Sequence, residues 1–340
     1  MNSLRTVFFL VIIILIIPNQ SLAISNSLTL PGLNWQNTYY LESDNLNLNK
    51  IFKLRNGQRI DLDNREANLY FLSQNYYSFD LGGNIKIGRF NYKENNFKAE
   101  QGLLDFLFKV RKRNISEGRY ILKGNIDTLN LQGYYLGKRY KINKDTLLSL
   151  RLKYINSGHL EKSKYDGTAR MSDQFIYQSG YRQVIISRDK TYQPRGISLD
   201  IKGETIIRDN LLISFSAENL YSYIIFKNLY FREMLDRTGS FYYDDIAIKI
   251  TPVYRIDLNY KDLIFGVSYI NRYEPYLGYS FKSGKDNLIP VDIDFTLHRN
   301  KYGVKLSPDW NLADISIEVI TDKINLRKAN NINLSFLFSF

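Results

Sequence analysis

The chain has 340 residues, with 46 basic and 34 acidic side chains, a net charge of +12 and no cysteine. The lack of cysteine excludes disulfides, thiolate metal sites and a cysteine nucleophile, and two histidines, His159 and His298, cannot build a multi-histidine metal centre, so no cofactor or metal is expected. The basic excess favours anionic partners.

In chain order, Arg5 precedes an unbroken apolar run of 11 residues, Val7 to Ile17. That run is too short to span a bilayer, which takes roughly 20 residues. Ser21-Leu22-Ala23 follows it with the small residues of a cleavage site, so residues 1–23 read as a secretory signal peptide. Loss of Arg5 leaves a net charge of about +11, and export turns the candidate anions into lipopolysaccharide phosphates, anionic solutes or acidic polysaccharides, with no nucleic acid partner.

Residues 24–64 alternate poorly and include an Asn-rich stretch over 43–50. This segment is expected to hold a first strand, a periplasmic extension or an inward plug. After it, no stretch approaches 18 apolar residues, so only strands are left to cross lipid. Leu81-Gly82-Gly83-Asn84 reads as bend or bulge glycines within a strand.

The remainder is read from alternation, because a strand with lipid on one face and a wet lumen on the other changes polarity at each residue. Leu104, Phe106, Phe108 and Val110 alternate with Asp105, Lys109 and Arg111, and Leu148, Leu150, Leu152 and Tyr154 with Ser149, Arg151 and Lys153. The pattern recurs from Ile197 to Glu204, from Leu211 to Glu218, from Val291 to His298 and from Asp314 to Val319. Its longest run takes Ile246, Ile248, Ile250, Pro252, Tyr254, Ile256 and Leu258 as one face, opposite Lys249, Thr251, Arg255, Asp257 and Asn259.

Asn143-Lys144-Asp145, Arg208-Asp209-Asn210, Asn259 to Asp262 and Arg299-Asn300-Lys301 supply tight reversals, while 157–173, 221–240 and 272–288 read as long surface loops. The abundance of aromatic side chains, 27 Tyr and 20 Phe, suits girdles at the two headgroup layers.

The chain closes with Asn331-Ile332-Asn333-Leu334-Ser335-Phe336-Leu337-Phe338-Ser339-Phe340. This segment resembles the terminal strand of bacterial outer-membrane β-barrels, in which alternating apolar residues end in phenylalanine. The resemblance implies that Leu334, Phe336, Phe338 and Phe340 are an assembly signal read by the barrel-assembly machinery of a Gram-negative cell. Over the other residues the likeness is one of architecture alone.

The expected fold is therefore all-β: a transmembrane antiparallel β-barrel over 65–340. At roughly 20–25 residues per strand and connection it has about 14 strands, within a range of 12–16. Its lumenal face is predicted to carry Lys109, Arg111, Arg151, Lys153, Lys202, Glu204, Lys249, Arg255, Asp257, Asp292, Asp294 and His298. The function expected is that of a porin-like outer-membrane channel passing small solutes with a modest anion preference, in contact with lipid and lipopolysaccharide, and not an enzyme. The alternatives are a structural or adhesive barrel with a plugged lumen, a rim hydrolase using His298 or His159, and a fatty-acid-type transporter of hydrophobic substrates.

Overall fold

A computed structural model describes residues 33–339 apart from 57, 63–65, 83, 113–116, 172–175, 188–191, 208–210, 236–237, 271–272, 283–290, 311–312, 315 and 326–327. The signal peptide expected over 1–23 and the terminal Phe340 lie outside the described residues.

In chain order the strands are β1 (Leu33–Asp44), β2 (Glu66–Asp80), β3 (Ile85–Glu100), β4 (Gly118–Lys141), β5 (Thr146–Met171), β6 (Ile176–Ile186), β7 (Arg195–Ile207), β8 (Leu211–Leu235) and β9 (Thr238–Ile248). They continue as β10 (Val253–Tyr260), β11 (Leu263–Tyr269), β12 (Tyr273–Lys282), β13 (Val291–His298), β14 (Lys301–Trp310), β15 (Ala313–Asp314), β16 (Ser316–Thr321) and β17 (Asn331–Ser339). Two helices, α1 (Leu48–Arg55) and α2 (Gln101–Lys112), interrupt them.

Neighbouring strands are antiparallel, and β17 pairs with β16 on one edge and with β1 on the other, Leu41 facing Ile332 and Trp35 facing Phe338. That last ladder turns the sheet into a ring and removes its edges, which lipid requires of any sheet it surrounds. β6 and β7 share one place in the wall, as do β9 and β10, and β15 is a two-residue piece beside β14, so the barrel has 14 strand positions.

One end carries the beginning of β1, the end of β17 and tight connections such as 81–84, 142–145 and 261–262; α1 and α2 sit at the other. Short turns mark the periplasmic end of such barrels. β4, β5 and β8 have 24, 26 and 25 residues, against roughly 9–11 needed to cross at a tilt, so their outer halves stand beyond the lipid. On the opposite wall β10 to β14 have only 7 to 10 residues, giving a rim high on one side and low on the other.

The outward face explains why this chain needs a membrane. Leu258 pairs with Phe265, Phe265 with Leu277, Leu277 with Leu297 and Leu297 with Tyr302, an apolar row across five strands. All of these side chains are exposed, as are Leu136, Leu152 and Ile197 on the tall wall. In water a contiguous belt of this kind is an aggregation surface, whereas in lipid it is solvated. Tyr134, Tyr154 and Tyr223 border it on the tall side and Tyr260 and Tyr279 lie near the periplasmic turns, in the headgroup positions that tyrosine suits.

Several expectations need correction. Residues 104–110 form not a strand but part of helix α2. Almost every residue from Leu103 to Phe108 is apolar, so a period of two is not distinguishable there from a helical one. Packing decides it: Leu103 and Phe106 are buried, and Gly102 lies against the backbone of Ile121. The stretches 157–173, 221–240 and 272–288, read as loops, are largely β5, β8 with the β9 hairpin, and β12. Above the lipid both faces of a strand meet water, so the alternation that reveals membrane strands is lost. The β2–β3 reversal takes in Leu81, Gly82 and Asn84, with Gly82 and Asn84 at φ values of 82° and 64°, while Gly83 lies outside the described residues; the turn at 299–300 lies on the rim side, not with the periplasmic turns.

At Gly133 the β4–β5 register shifts, and a Cβ there would collide with the Tyr154 carbonyl and the Phe90 ring. Gly133→Ala is expected to cost about 1–3 kcal/mol by overpacking and to lower the urea midpoint of the refolded barrel. Gly137→Ala, whose new Cβ would find its nearest neighbours 3.7 Å away, leaves that midpoint unchanged.

Candidate functional site: the lumen

A barrel of about 8 strands is filled by its own side chains, while 16–18 strands leave an aqueous channel. At 14 positions this lumen is wide enough to need additional filling, and it receives it on the tall side. Tyr40, Leu72, Tyr76, Phe90, Tyr92 and Leu131 point inward and pack with Ile155, Ile224 and Phe226 into one buried apolar cluster. The inward face of β2 to β4 is thus aromatic and aliphatic where a water-filled lumen would be polar.

The main chain contributes as well. The run expected to be continuous from 246 to 258 breaks between β9 and β10, and residues 249–252 step into the lumen. Pro252 has no N–H to give to a ladder, which makes this the weak point of the strand. Ile250, 2% exposed, joins the apolar cluster, and its N–H donates to the Ser222 hydroxyl at 2.8 Å. Thr251 Oγ1 donates to Glu94 Oε1 at 2.6 Å. Glu94 is on β3, which β4, β5, β7 and β8 separate from β10 in the wall, so this hydrogen bond spans the lumen. Tyr92 OH holds the other oxygen of Glu94 at 2.6 Å.

Behind that tie lies a buried ionic plate. β8 bulges opposite Asp200, where the register jumps between Leu199 and Ile201, and Asn219 takes φ 55° there, a conformation asparagine tolerates better than most residues. Lys153 Nζ, almost fully buried, donates to Asp200 Oδ1 at 2.8 Å and to Asn219 Oδ1 at 2.9 Å. Asn219 N donates to Asp200 Oδ1 at 2.8 Å, and its side-chain amide reaches the Thr251 carbonyl at 3.3 Å, which joins the plate to the crossing segment. Arg151 sits 3.6 Å from Asp200 and stacks over the rings of Tyr76 and Tyr135 at 4.2 and 4.9 Å.

On the low wall the lumen stays open. A cavity of about 240 Å³ lies among side chains from β1, β2 and β7 round to β17, including Arg255, Glu274, His298, Lys301 and Glu318. Arg255 pairs with Asp257 at 2.9 Å and Glu318 at 3.4 Å, Lys301 with Glu274 at 2.6 Å, and the His298 and Tyr276 rings lie 4.8 Å apart. A second space of about 270 Å³ opens among the periplasmic ends of β2 to β5 and β7 and forms a vestibule. Lys202 lines both, and its ammonium is bound to Glu218 at 2.8 Å.

The residues expected on the lumenal face divide accordingly. Arg151, Lys153 and Lys202 gather around the plate and the vestibule, and Arg255, Asp257 and His298 around the 240 Å³ cavity. Asp294 faces Lys305 at 3.7 Å. Glu204, Asp292 and Lys249 are exposed, Lys249 within the crossing segment. Lys109 and Arg111 belong to helix α2 rather than to a wall strand, and Lys109 lies over the Tyr120 ring at 5.1 Å. The residues missed are Glu94, Asn219 and Ser222, and for Thr251, on the polar face of its run, the partner was missed; all are polar residues whose partners are far away in sequence. His159 lies within β5, 3.9 Å from Glu161 in the part beyond the belt, and His298 Nε2 contacts Thr296 Oγ1 at 3.2 Å.

A closed antiparallel ring of an even number of strands, belted by apolar side chains, is the architecture of bacterial outer-membrane β-barrels, and the chain has that fold. No protein-family model and no curated protein sequence matches it. Among solved structures it is similar to the TodX deltaS2S3 mutant monoaromatic hydrocarbon channel, at 7% identity and a TM-score of 0.46, covering 92% of this chain and 91% of that one. It is also similar to the translocator domain of autotransporter NalP from Neisseria meningitidis, at 9% identity and a TM-score of 0.37, covering 93% and 88%. A Pseudomonas aeruginosa FadL homologue follows at 8% identity and a TM-score of 0.34, covering 91% and 87%. The assignment rests on this chain's own strand pairing and belt.

Removing one partner of a buried ion pair leaves the other charge without compensation and costs on the order of 3 kcal/mol. Lys153→Met is expected to destabilise the barrel by that amount in a urea titration. The same titration on Lys305→Met, whose partner Asp294 is more exposed to solvent, should show less than about 1 kcal/mol.

Proposed function

We propose that this protein is an outer-membrane channel for small solutes, held closed at rest by side chains between two water-accessible chambers. The observation that carries this reading is that the cavity and the vestibule both reach Lys202, so that the interruption between them is the Lys202–Glu218 ion pair with the plate beside it. Lys202 and Glu218 project from neighbouring strands β7 and β8 into the lumen beside water-accessible space, where an ion pair can separate and re-form, whereas a packed apolar core opens only by repacking.

The vestibule supports a modest preference for anions among the ions that carry current. Lys86, Lys138, Arg139, Arg151 and Lys202 line it against Asp80 and Asp200, and a basic mouth with low-dielectric walls concentrates anions. In the cell the belt would lie against lipid and lipopolysaccharide, and the assembly machinery would read the closing strand.

A second reading, a plugged barrel whose outer sheet is its working surface, draws on the reach of β4, β5 and β8 beyond the belt. Planar-bilayer recordings separate the two. On the channel reading the wild type shows small, infrequent openings, and Lys202→Ala combined with Glu218→Ala raises the mean conductance several-fold. Absence of current in both proteins, each folded as judged by heat-modifiable migration, would refute the channel and leave the plugged barrel.

A further inference from the structure

On the low wall the outward face of the belt is uncharged. From β10 to β14 its positions, two apart along each strand, are occupied by Leu, Ile, Val, Phe, Tyr and Pro. β3 departs from this pattern. Phe90 and Tyr92 are buried in the lumenal cluster, so Arg89, Asn91 and Lys93, which alternate with them, face outward. They pair in register with Tyr134, Gln132 and Asn130 of β4. Asn91, Lys93 and Gln132 are exposed and Arg89 is half-buried, its guanidinium carbon 5.4 Å from the centre of the Tyr134 ring. Higher on β3 and β4 the lysines are matched, Lys98 with Glu66 at 3.2 Å and Lys123 with Glu100 at 3.3 Å, whereas Arg89 and Lys93 have no ion pair among the described residues.

Arg89 and Lys93 are the fifth and ninth residues of β3, counted from Ile85 at its periplasmic end. Since roughly 9–11 residues cross the membrane, Lys93 stands at the outer headgroup layer, and Arg89, inside the belt, lies over Tyr134 at the belt's outer border. A charged side chain is costly among acyl chains and far less so where it reaches the headgroups. Two unmatched cations with amide side chains in register between them call for an anion at that layer, and the outer leaflet supplies phosphate. Guanidinium and ammonium groups bind phosphate, and the amides of Asn91 and Gln132 add N–H donors. One step toward the periplasm, Ile87 pairs with Phe79 on one side and Leu136 on the other, all three exposed, a surface that acyl chains cover. The step from Arg89 to Lys93 spans roughly 13 Å at Cα, which suits two phosphates on one sugar headgroup better than the single phosphate of a glycerophospholipid.

We infer that the outward wall of β3 and β4 is a binding site for one lipopolysaccharide molecule, with Arg89 and Lys93 on its lipid A phosphates, Asn91 and Gln132 between them, and Phe79, Ile87 and Leu136 against its acyl chains. The site is outside the barrel, so it holds whether the lumen conducts or is plugged. It also gives the protein a preferred neighbour on the tall wall, where the outer sheet rises above the membrane, and none on the uncharged low wall.

The test is native mass spectrometry of the refolded full-length barrel in detergent, with lipid A, monophosphoryl lipid A and phosphatidylglycerol as separate probes. A single tightly held lipid A is expected, with weaker retention of the monophosphoryl form and the weakest of phosphatidylglycerol. Arg89→Gln combined with Lys93→Gln should weaken lipid A binding about tenfold or more, and Lys93→Gln alone carries the test should the double substitution fail to fold. Lys261→Gln, which removes an exposed cation from the periplasmic turn between β10 and β11, should leave binding unchanged. If lipid A is held no more tightly than phosphatidylglycerol, or binds the folded Arg89 and Lys93 variants as it binds the wild type, the inference is overturned. A dimer or trimer of barrels that these variants dissociate overturns it too, since the wall would then be an interface between subunits.

Discussion

The hydrogen bond from Thr251 to Glu94 is the contact on which the character of this barrel depends. Fourteen strand positions enclose a lumen too wide for side chains alone to seal, and a tie between two distant strands is possible only because four residues leave the wall and enter it. The consequences run outward from that step. Ile250 carries the apolar cluster across, Ser222 and Asn219 catch the displaced backbone, and Asn219 passes the connection to Asp200 and Lys153. A break in one strand thereby becomes a partition of the lumen.

Two kinds of cohesion hold the interior, and they differ in how they yield. The apolar cluster on the tall side is packed and has no second arrangement to move to. The ion pairs Lys202–Glu218 on the tall side and Arg255–Glu318 and Lys301–Glu274 on the low side sit beside water-accessible volume and can exchange partners with solvent. Buried charges of this kind add little net stability, because their desolvation offsets their attraction, but they penalise alternative arrangements heavily. A packed cluster and exchangeable ion pairs in one ring suit a closed state that opens where the pairs part.

Legibility from sequence followed the solvent. Where a strand has lipid on one side and the lumen on the other, alternation is forced, and Leu148 to Tyr154, Ile197 to Lys202 and Val291 to His298 are readable at sight. Where strands rise above the lipid, as in the outer halves of β5 and β8, both faces are wet and the signal disappears. Where the lumen is packed, as with Tyr70, Leu72 and Tyr76 on β2, the inward face is apolar and the alternation is blurred from the other direction. The charged half of the site was visible, since Arg151, Lys153, Lys202 and Arg255 sit on the polar face of membrane strands. Thr251 too sits on the polar face of its run, but its pairing with Glu94 was not visible, because it links positions 157 apart and no local pattern encodes a bond across a lumen. Pro252, within an otherwise regular run, was the one local hint.

The most direct test of this account uses the absence of cysteine from the chain. With Glu94→Cys and Thr251→Cys introduced together, a short bifunctional thiol reagent applied to the folded barrel should join the two positions, changing the migration of the unfolded chain on a gel. Asn75→Cys with Asn91→Cys, a pair in register on β2 and β3, is the positive control. If the control pair joins and the 94–251 pair does not, the crossing segment does not reach β3, and the partition of the lumen described here is wrong.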